Sequence, residues 1–219
     1  GYTMRGKKFL MLVIGIIFFN ISLIVLGNEE EETQEIKKGI EYYEMKNYDS
    51  AEKIWKPLAD KGNKVAQYNM GLLYKVQEKY DLSEKYYKLS ANQGYLASQE
   101  RLGYYYYKQK KEYKESEKYY KMAADQRSNY GYCGLGYLYN TLDQQDLAEK
   151  YYLIAADRGD HLAQNNLAII YEEQGRYRLA YKYYKMSEKQ GYTFAKDNLK
   201  VFKKKLLNLS WKERILFYK

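Results

Sequence analysis

The chain has 219 residues, 46% apolar and 30% charged, with a formal charge of +9, 30 tyrosines and only one each of histidine, cysteine and proline. A lone His161 and a lone Cys133 leave no two-histidine zinc helix, no zinc site of paired cysteines and no disulfide framework. The RGDHLAQ context of His161 carries no recognisable triad, so no catalytic residue, metal site or cofactor is expected.

In chain order, Arg5, Lys7 and Lys8 precede an apolar run from Phe9 to Leu26 whose polar members are Asn20 and Ser22. Gly27 ends the run and Glu29 to Glu32 follow. A basic start, an apolar stretch and a small-residue exit read as a secretory signal over 1–27, cleaved after Gly27. At about eighteen residues the run also matches a membrane anchor over 9–26, left uncleaved. Either way the body of the chain is expected beyond the cytoplasmic membrane, in the periplasm, in the cell envelope or secreted. Residues 28–33 read as an acidic solvated spacer, because adjacent carboxylates in a flexible segment are not preorganised for a metal.

Residues 34–199 are repetitive. Gly39, Gly71, Gly103, Gly136 and Ala168 are spaced by 32, 32, 33 and 32 residues, and a tyrosine follows three residues after each (Tyr42, Tyr74, Tyr106, Tyr139, Tyr171). Further along each unit come a second small residue (Ala51, Ser83, Ser116, Ala148, Ala180) and a large aromatic (Trp55, Tyr87, Tyr120, Tyr152, Tyr184). Within a unit the spacing is helical: Ser83, Tyr87 and Ser90 are i, i+4, i+7, as are Ala148, Tyr152 and Ala155. One ring between two small side chains lets a neighbouring helix approach closely. In the tyrosine pairs, therefore, the second ring is expected to join the two helices of a unit. The first heads another apolar stripe (Leu82, Tyr86, Leu89; Leu147, Tyr151, Ile154; Leu179, Tyr183, Met186) and is expected to join one unit to the next. Glu115 replaces leucine beside Tyr119 and is expected to loosen that junction. Gly62, Gly94, Gly159 and Gly191 read as C-terminal caps of second helices. The third unit has DQRSN (125–129) there, without glycine, so its turn is expected to differ.

With its YYKMAADQ (119–126) and AQNNLAIIY (163–171) wording, this pattern resembles the tetratricopeptide repeat superfamily, and within it the Sel-like branch. The resemblance covers about residues 34 to 200 as five helix pairs. It implies an all-α fold, a right-handed α-solenoid of helix-turn-helix repeats. The period is about two residues shorter than the common tetratricopeptide unit, and the usual boundary proline is missing. After the fifth pair, TFAKDNLKVFKKKL (193–206) begins another first helix with Lys200 in the small-residue column, and Ser210 to Glu213 form a capping box. Residues 200–219 therefore read as basic capping helices that close the stack.

The resemblance also implies that first helices line a concave surface. Their faces not used for packing carry Tyr68, Leu72 and Lys75; Glu100, Tyr104 and Tyr107; Cys133, Tyr137 and Asn140; and Asn165, Ile169 and Glu172. Tyrosine supplies contact area at small entropic cost together with a hydroxyl, so this set suits a protein or peptide partner. Cys133 reads as a tolerated variant. The charge argues against nucleic acid: residues 1–27 carry +3, residues 200–219 carry +6, and the array between them is neutral. The expectation is a non-enzymatic interaction scaffold outside the cytoplasmic membrane, touching membrane only through an uncleaved N-terminal segment. The alternative is binding of an anionic polymer or membrane surface through the basic tail (Lys200, Lys203, Lys204, Lys205, Lys212, Arg214, Lys219).

Overall fold

A computed structural model describes residues 29–210, among which there are eleven α-helices and no strand. The expected signal or anchor and residues 211–219, including Glu213 of the capping box, lie outside the described residues. Helix α1 covers 29–44, followed by α2 (Tyr48–Asp60), α3 (Lys64–Val76), α4 (Tyr80–Asn92) and α5 (Leu96–Tyr105). A π-helical turn, Tyr106–Lys110, extends α5. Then come α6 (Tyr113–Asp125), α7 (Asn129–Thr141), α8 (Gln145–Asp157), α9 (His161–Glu173), α10 (Tyr177–Lys189) and α11 (Thr193–Leu207). The described residues fall into two compact bodies, 29–90 and 91–210. In the second, each helix from α5 to α11 packs on the next, and α7 also touches α5 and α9. In this body the odd-numbered first helices thus form one layer and the even-numbered second helices the other, the all-α repeat arrangement of the α-solenoid class.

The small-residue column explains the close approach. A Cβ built on Gly71 or Gly136 would lie 2.6 to 2.7 Å from ring carbons of Tyr87 or Tyr152, the second-helix aromatics of the same units. Gly39 stands in the same relation to Trp55, and Gly103 to Tyr120. Trp55 Nε1 also donates to the Ile36 carbonyl at 3.2 Å. Serine at the second small position adds a bond: Ser83 donates to the Gly71 carbonyl at 2.7 Å and Ser116 to that of Gly103 at 2.8 Å. The second tyrosine of the pair therefore joins the two helices of its unit, as expected. It does more, since Tyr120 also lies under Gly134 of the following helix α7, and Tyr184 meets Phe202 of α11 at 5.5 Å.

The first tyrosine does join neighbouring units, Tyr86 sharing a core with Trp55 and Leu58 of α2 and Tyr183 lying beside Asp157 of α8, but it serves its own unit as well. Its ring packs on the first-helix tyrosine of its own unit: Tyr86 on Tyr74, Tyr119 on Tyr106, Tyr151 on Tyr139 and Tyr183 on Tyr171, all with centroids between 5.5 and 5.7 Å. Another link between units runs backward through hydroxyls. Tyr74 donates to Glu52 at 2.8 Å and Tyr139 to Glu117 at 2.7 Å, each reaching the second helix of the preceding unit. Leu82, Leu89 and Leu147 are exposed, whereas Leu179 and Met186 of the same stripe are half-buried against the core. Glu115 does not open its junction either. It pairs with Lys118 at 3.6 Å while Tyr119 stays 1% exposed.

A column the sequence reading passed over locks the turns between units. The Gln67, Gln99 and Gln164 amides donate at 3.1 Å to the carbonyls of Ala59, Ala91 and Ala156 at the ends of the preceding second helices. In the third unit the glycine-free turn has the same shape as the others, contrary to expectation. Arg127 takes a left-handed φ of 62°, where Gly159 has 90°, and the amides of Arg127 and Ser128 bond back to Ala124 and Ala123 as Gly159 and Asp160 do to Ala156 and Ala155. Neighbouring contacts hold a strained arginine in a glycine position. The third unit does differ inside its helix pair. Gly103 and Ser116 are one residue further apart than Gly71 and Ser83, and the π-helical turn absorbs the extra residue.

Candidate functional site: a tyrosine-lined groove

The first helices of the second body share an uncovered face. Residues seven apart on one helix project the same way, and here they are Ala97 with Tyr104, Tyr130 with Tyr137, Leu162 with Ile169, and Phe194 with Val201. Tyr104, Tyr130 and Tyr137 are 45%, 47% and 40% exposed, and Phe194 and Val201 are each 67% exposed. Aligned exposed apolar groups on successive helices are not the scattered surface residues of an ordinary exterior. Tyr192 continues the band, its ring 4.9 Å from His161 and 5.6 Å from Phe194.

Between α5, α7 and the start of α9 this face sinks into a groove of about 540 Å³. Tyr104 enters from α5, Tyr107 and Lys108 from the π-helical turn, and Tyr130, Cys133 and Tyr137 from α7. Asp160, His161 and Leu162 close the far end, and Tyr120 rises from α6 as the floor. Gly134 makes room for that floor, because a Cβ there would lie 2.5 Å from Cδ1 and Cζ of the Tyr120 ring and nearer still to Cε1. Tyr120 is 3% exposed, its ring lies 6.2 Å from that of Tyr130, and its hydroxyl has no hydrogen-bond partner among the described residues. Burial, and then the neighbouring phenols of Tyr130, Tyr107 and Tyr104, push its pKa up, so it stays protonated. Tyr107 is held in place by a 2.7 Å hydrogen bond between its hydroxyl and that of Thr141.

Asp160 begins α9 as its N-cap, where the aspartate Oδ1 accepts from the Ala163 amide at 2.8 Å. The same oxygen accepts from the Cys133 thiol at 3.4 Å, while Oδ2 has no described partner. Burial, and then the Asp160 charge, raise the thiol's pKa, which keeps Cys133 protonated and a poor nucleophile. Among the described residues no group of three His, Cys, Asp or Glu could hold a metal ion, and no helix is long and apolar enough to cross a membrane.

Of the candidates named from sequence, Tyr104, Tyr107 and Tyr137 come together in this groove. Glu100 is half-buried and accepts from the Ser128 hydroxyl. Asn140 is exposed and Ile169 half-buried. Asn165 is not presented to solvent: it is 4% exposed and its side-chain carbonyl accepts from Asn198 of α11 at 3.0 Å. Cys133, at 7% exposed, is likewise buried. Glu172 is committed to Tyr184 at 3.0 Å and Lys205 at 2.9 Å. Tyr68, Leu72 and Lys75 belong to α3 of the first body, where Tyr68 packs 5.7 Å from Tyr87, Leu72 is half-buried and Lys75 is exposed. The sequence reading missed Tyr130, Lys108, Asp160 and Leu162. The seven-residue step back from Tyr137 to Tyr130 and from Ile169 to Leu162 was the available signal.

No family model and no curated sequence matches the chain. Solved structures do. A Sel1 repeat protein from Oxalobacter formigenes is similar at 28% identity over 75% of this chain and 75% of that one, with a TM-score of 0.63. The SLR-fold antigen c5321 of uropathogenic Escherichia coli matches at 18% identity and a TM-score of 0.62, over 85% of this chain and 51% of that one. PilF of Pseudomonas aeruginosa matches at 14% identity and a TM-score of 0.63, over 88% and 97%. The chain has the Sel-like repeat fold of the tetratricopeptide superfamily. In this Sel-like array, the groove lies on the face of the first helices.

Proposed function

We propose that the protein is a non-enzymatic scaffold that holds a protein or peptide on the first-helix face of its Sel-like array. The observation that carries this reading is the groove itself, where Tyr104, Tyr107, Tyr130 and Tyr137 from two helices and a π-helical turn converge above an unpartnered phenol. Rings of this kind offer large contact area with few rotamers to freeze. The solved repeat structures support the fold that presents them. The location beyond the cytoplasmic membrane rests on the sequence of residues 1–27 alone. Cell fractionation with N-terminal sequencing of the mature chain tests it.

The test of the scaffold reading is capture of a partner by the full chain, compared with a Tyr104→Ala, Tyr137→Ala double variant. Binding should survive about 0.5 M salt, where screening acts over on the order of 4 Å, and should be lost in the double variant. A second reading, anionic polymer or membrane binding, draws on Lys200, Lys203 and Lys204, exposed on α11. Replacing these three by glutamine would abolish binding under that reading and leave it intact under the first.

A further inference from the structure

We propose that the groove takes a cation, the lysine or arginine side chain of a bound peptide, gripped between tyrosine faces and the Asp160 carboxylate. This deepens the scaffold reading and rests on it. Three observations bear on the charge of the occupant. The walls are the rings of Tyr104, Tyr107, Tyr130 and Tyr137, and an aromatic face attracts a cation through its quadrupole. The floor is the Tyr120 hydroxyl, 3% exposed as a residue and unpartnered among the described residues, whose oxygen can accept from an ammonium or guanidinium. Asp160 uses one carboxylate oxygen twice, for the Ala163 amide and the Cys133 thiol, and keeps the other unbonded.

Rival occupants fare worse. A purely apolar side chain would cover the Asp160 oxygen and the Tyr120 hydroxyl without returning a hydrogen bond to either. An anion would meet ring faces and a carboxylate, with the exposed Lys108 and His161 in its favour. Lysine and arginine carry an apolar stem to lie along rings and a charged head for the polar groups. A groove of about 540 Å³ accommodates such a side chain with the adjoining backbone.

The experiment is a ligand-observed NMR titration of the full chain with three probes: N-acetyl-lysine methylamide, its norleucine counterpart and its glutamate counterpart. The lysine probe should bind about fivefold more tightly than norleucine, and the glutamate probe more weakly than both. Asp160→Asn keeps the capping oxygen while removing the charge, so it should weaken the lysine probe by about fivefold and leave the norleucine probe and the thermal midpoint unchanged. Lys108→Gln should strengthen the lysine probe, and Tyr137→Leu should abolish the preference for lysine over norleucine. Equal binding of norleucine, preference for glutamate, indifference to Asp160→Asn, or no binding of any probe would overturn the proposal. If the probes fail while the Tyr104→Ala, Tyr137→Ala variant still loses its partner, the cation falls and the scaffold stands; if that variant keeps its partner, the groove is the wrong surface altogether.

Discussion

Gly136→Ala sets two ordinary rules against each other. Replacing an interior helical glycine by alanine gains about 1 kcal/mol from backbone entropy alone, so by that rule the variant should be more stable. The structure opposes it. The new Cβ would stand 2.6 Å from Cδ1 and Cε1 of Tyr152 and 2.8 Å from its Cγ. Carbon atoms pack at about 3.5 Å or more, so ring and helix must part by close to an ångström. Tyr152 is 2% exposed and its ring is wedged 5.8 Å from that of Tyr137, so it has little room to retreat. Overpacking of this size costs about 1–3 kcal/mol, leaving a net loss of about 1 kcal/mol. Urea unfolding of the full chain followed by circular dichroism should show a lower midpoint at unchanged slope. The fifth unit provides the comparison, since it already carries Ala168 in this column, fully buried. Ala168→Gly should therefore also destabilise, by about 1 kcal/mol through lost helix propensity. A Gly136→Ala chain more stable than the parent would refute the ring-under-glycine packing.

Arg127→Gly relieves a left-handed φ of 62° and should raise the thermal midpoint, by about 1 kcal/mol in stability; the same change at an exposed helical position should lower it. Tyr139→Phe removes the hydroxyl that donates to Glu117 at 2.7 Å and should cost about 1 kcal/mol, whereas Tyr120→Phe, whose hydroxyl opens on the groove, should cost less than about 0.5 kcal/mol in the same urea assay. In acid, the Glu117 carboxyl, held below its ordinary 4.5 by hydrogen bonds from Lys121 and then Tyr139, contributes stability that is present above the ordinary value and is lost as pH falls through the lowered one. Glu117→Gln should flatten that limb of a stability–pH curve. In alkali the sign reverses: burial first, then Glu117 and Glu149, push the Tyr139 and Tyr171 phenols up to about 12, so stability should decline as pH rises from 10 through 12, with phenolate absorbance lagging until unfolding.

The repeat was legible from residues because helical repetition is a local property. Columns such as Gly71, Gly103 and Gly136 stay in register along the chain, and an aromatic recurring at fixed helical spacing has to face the same neighbour in every unit. That was enough to assign the fold class, the five helix pairs and the burial of Tyr120. Where the reading went astray, the deciding contact joined elements whose relation the linear pattern does not encode. The first tyrosine meets the preceding unit, as its stripe implied, yet its ring also stacks or tilts against the tyrosine of its own first helix, a pairing the stripe did not reveal. The arginine turn keeps the glycine shape because helices on both sides dictate it, overriding local preference.

The sequence by itself determined the scaffold: the succession of helix pairs and which small residue lies beneath which ring, though not that residues 29–33 are helical or that a π-helical turn extends α5. Only the tertiary structure decided the groove. Tyr120 comes from a second helix, Tyr130 and Tyr137 from the next first helix, and Asp160 from the one after, so their convergence depends on the angle at which successive helices stack. That angle is set by the size of a glycine or an alanine under an aromatic ring, a sum of contacts that no single stretch of chain contains.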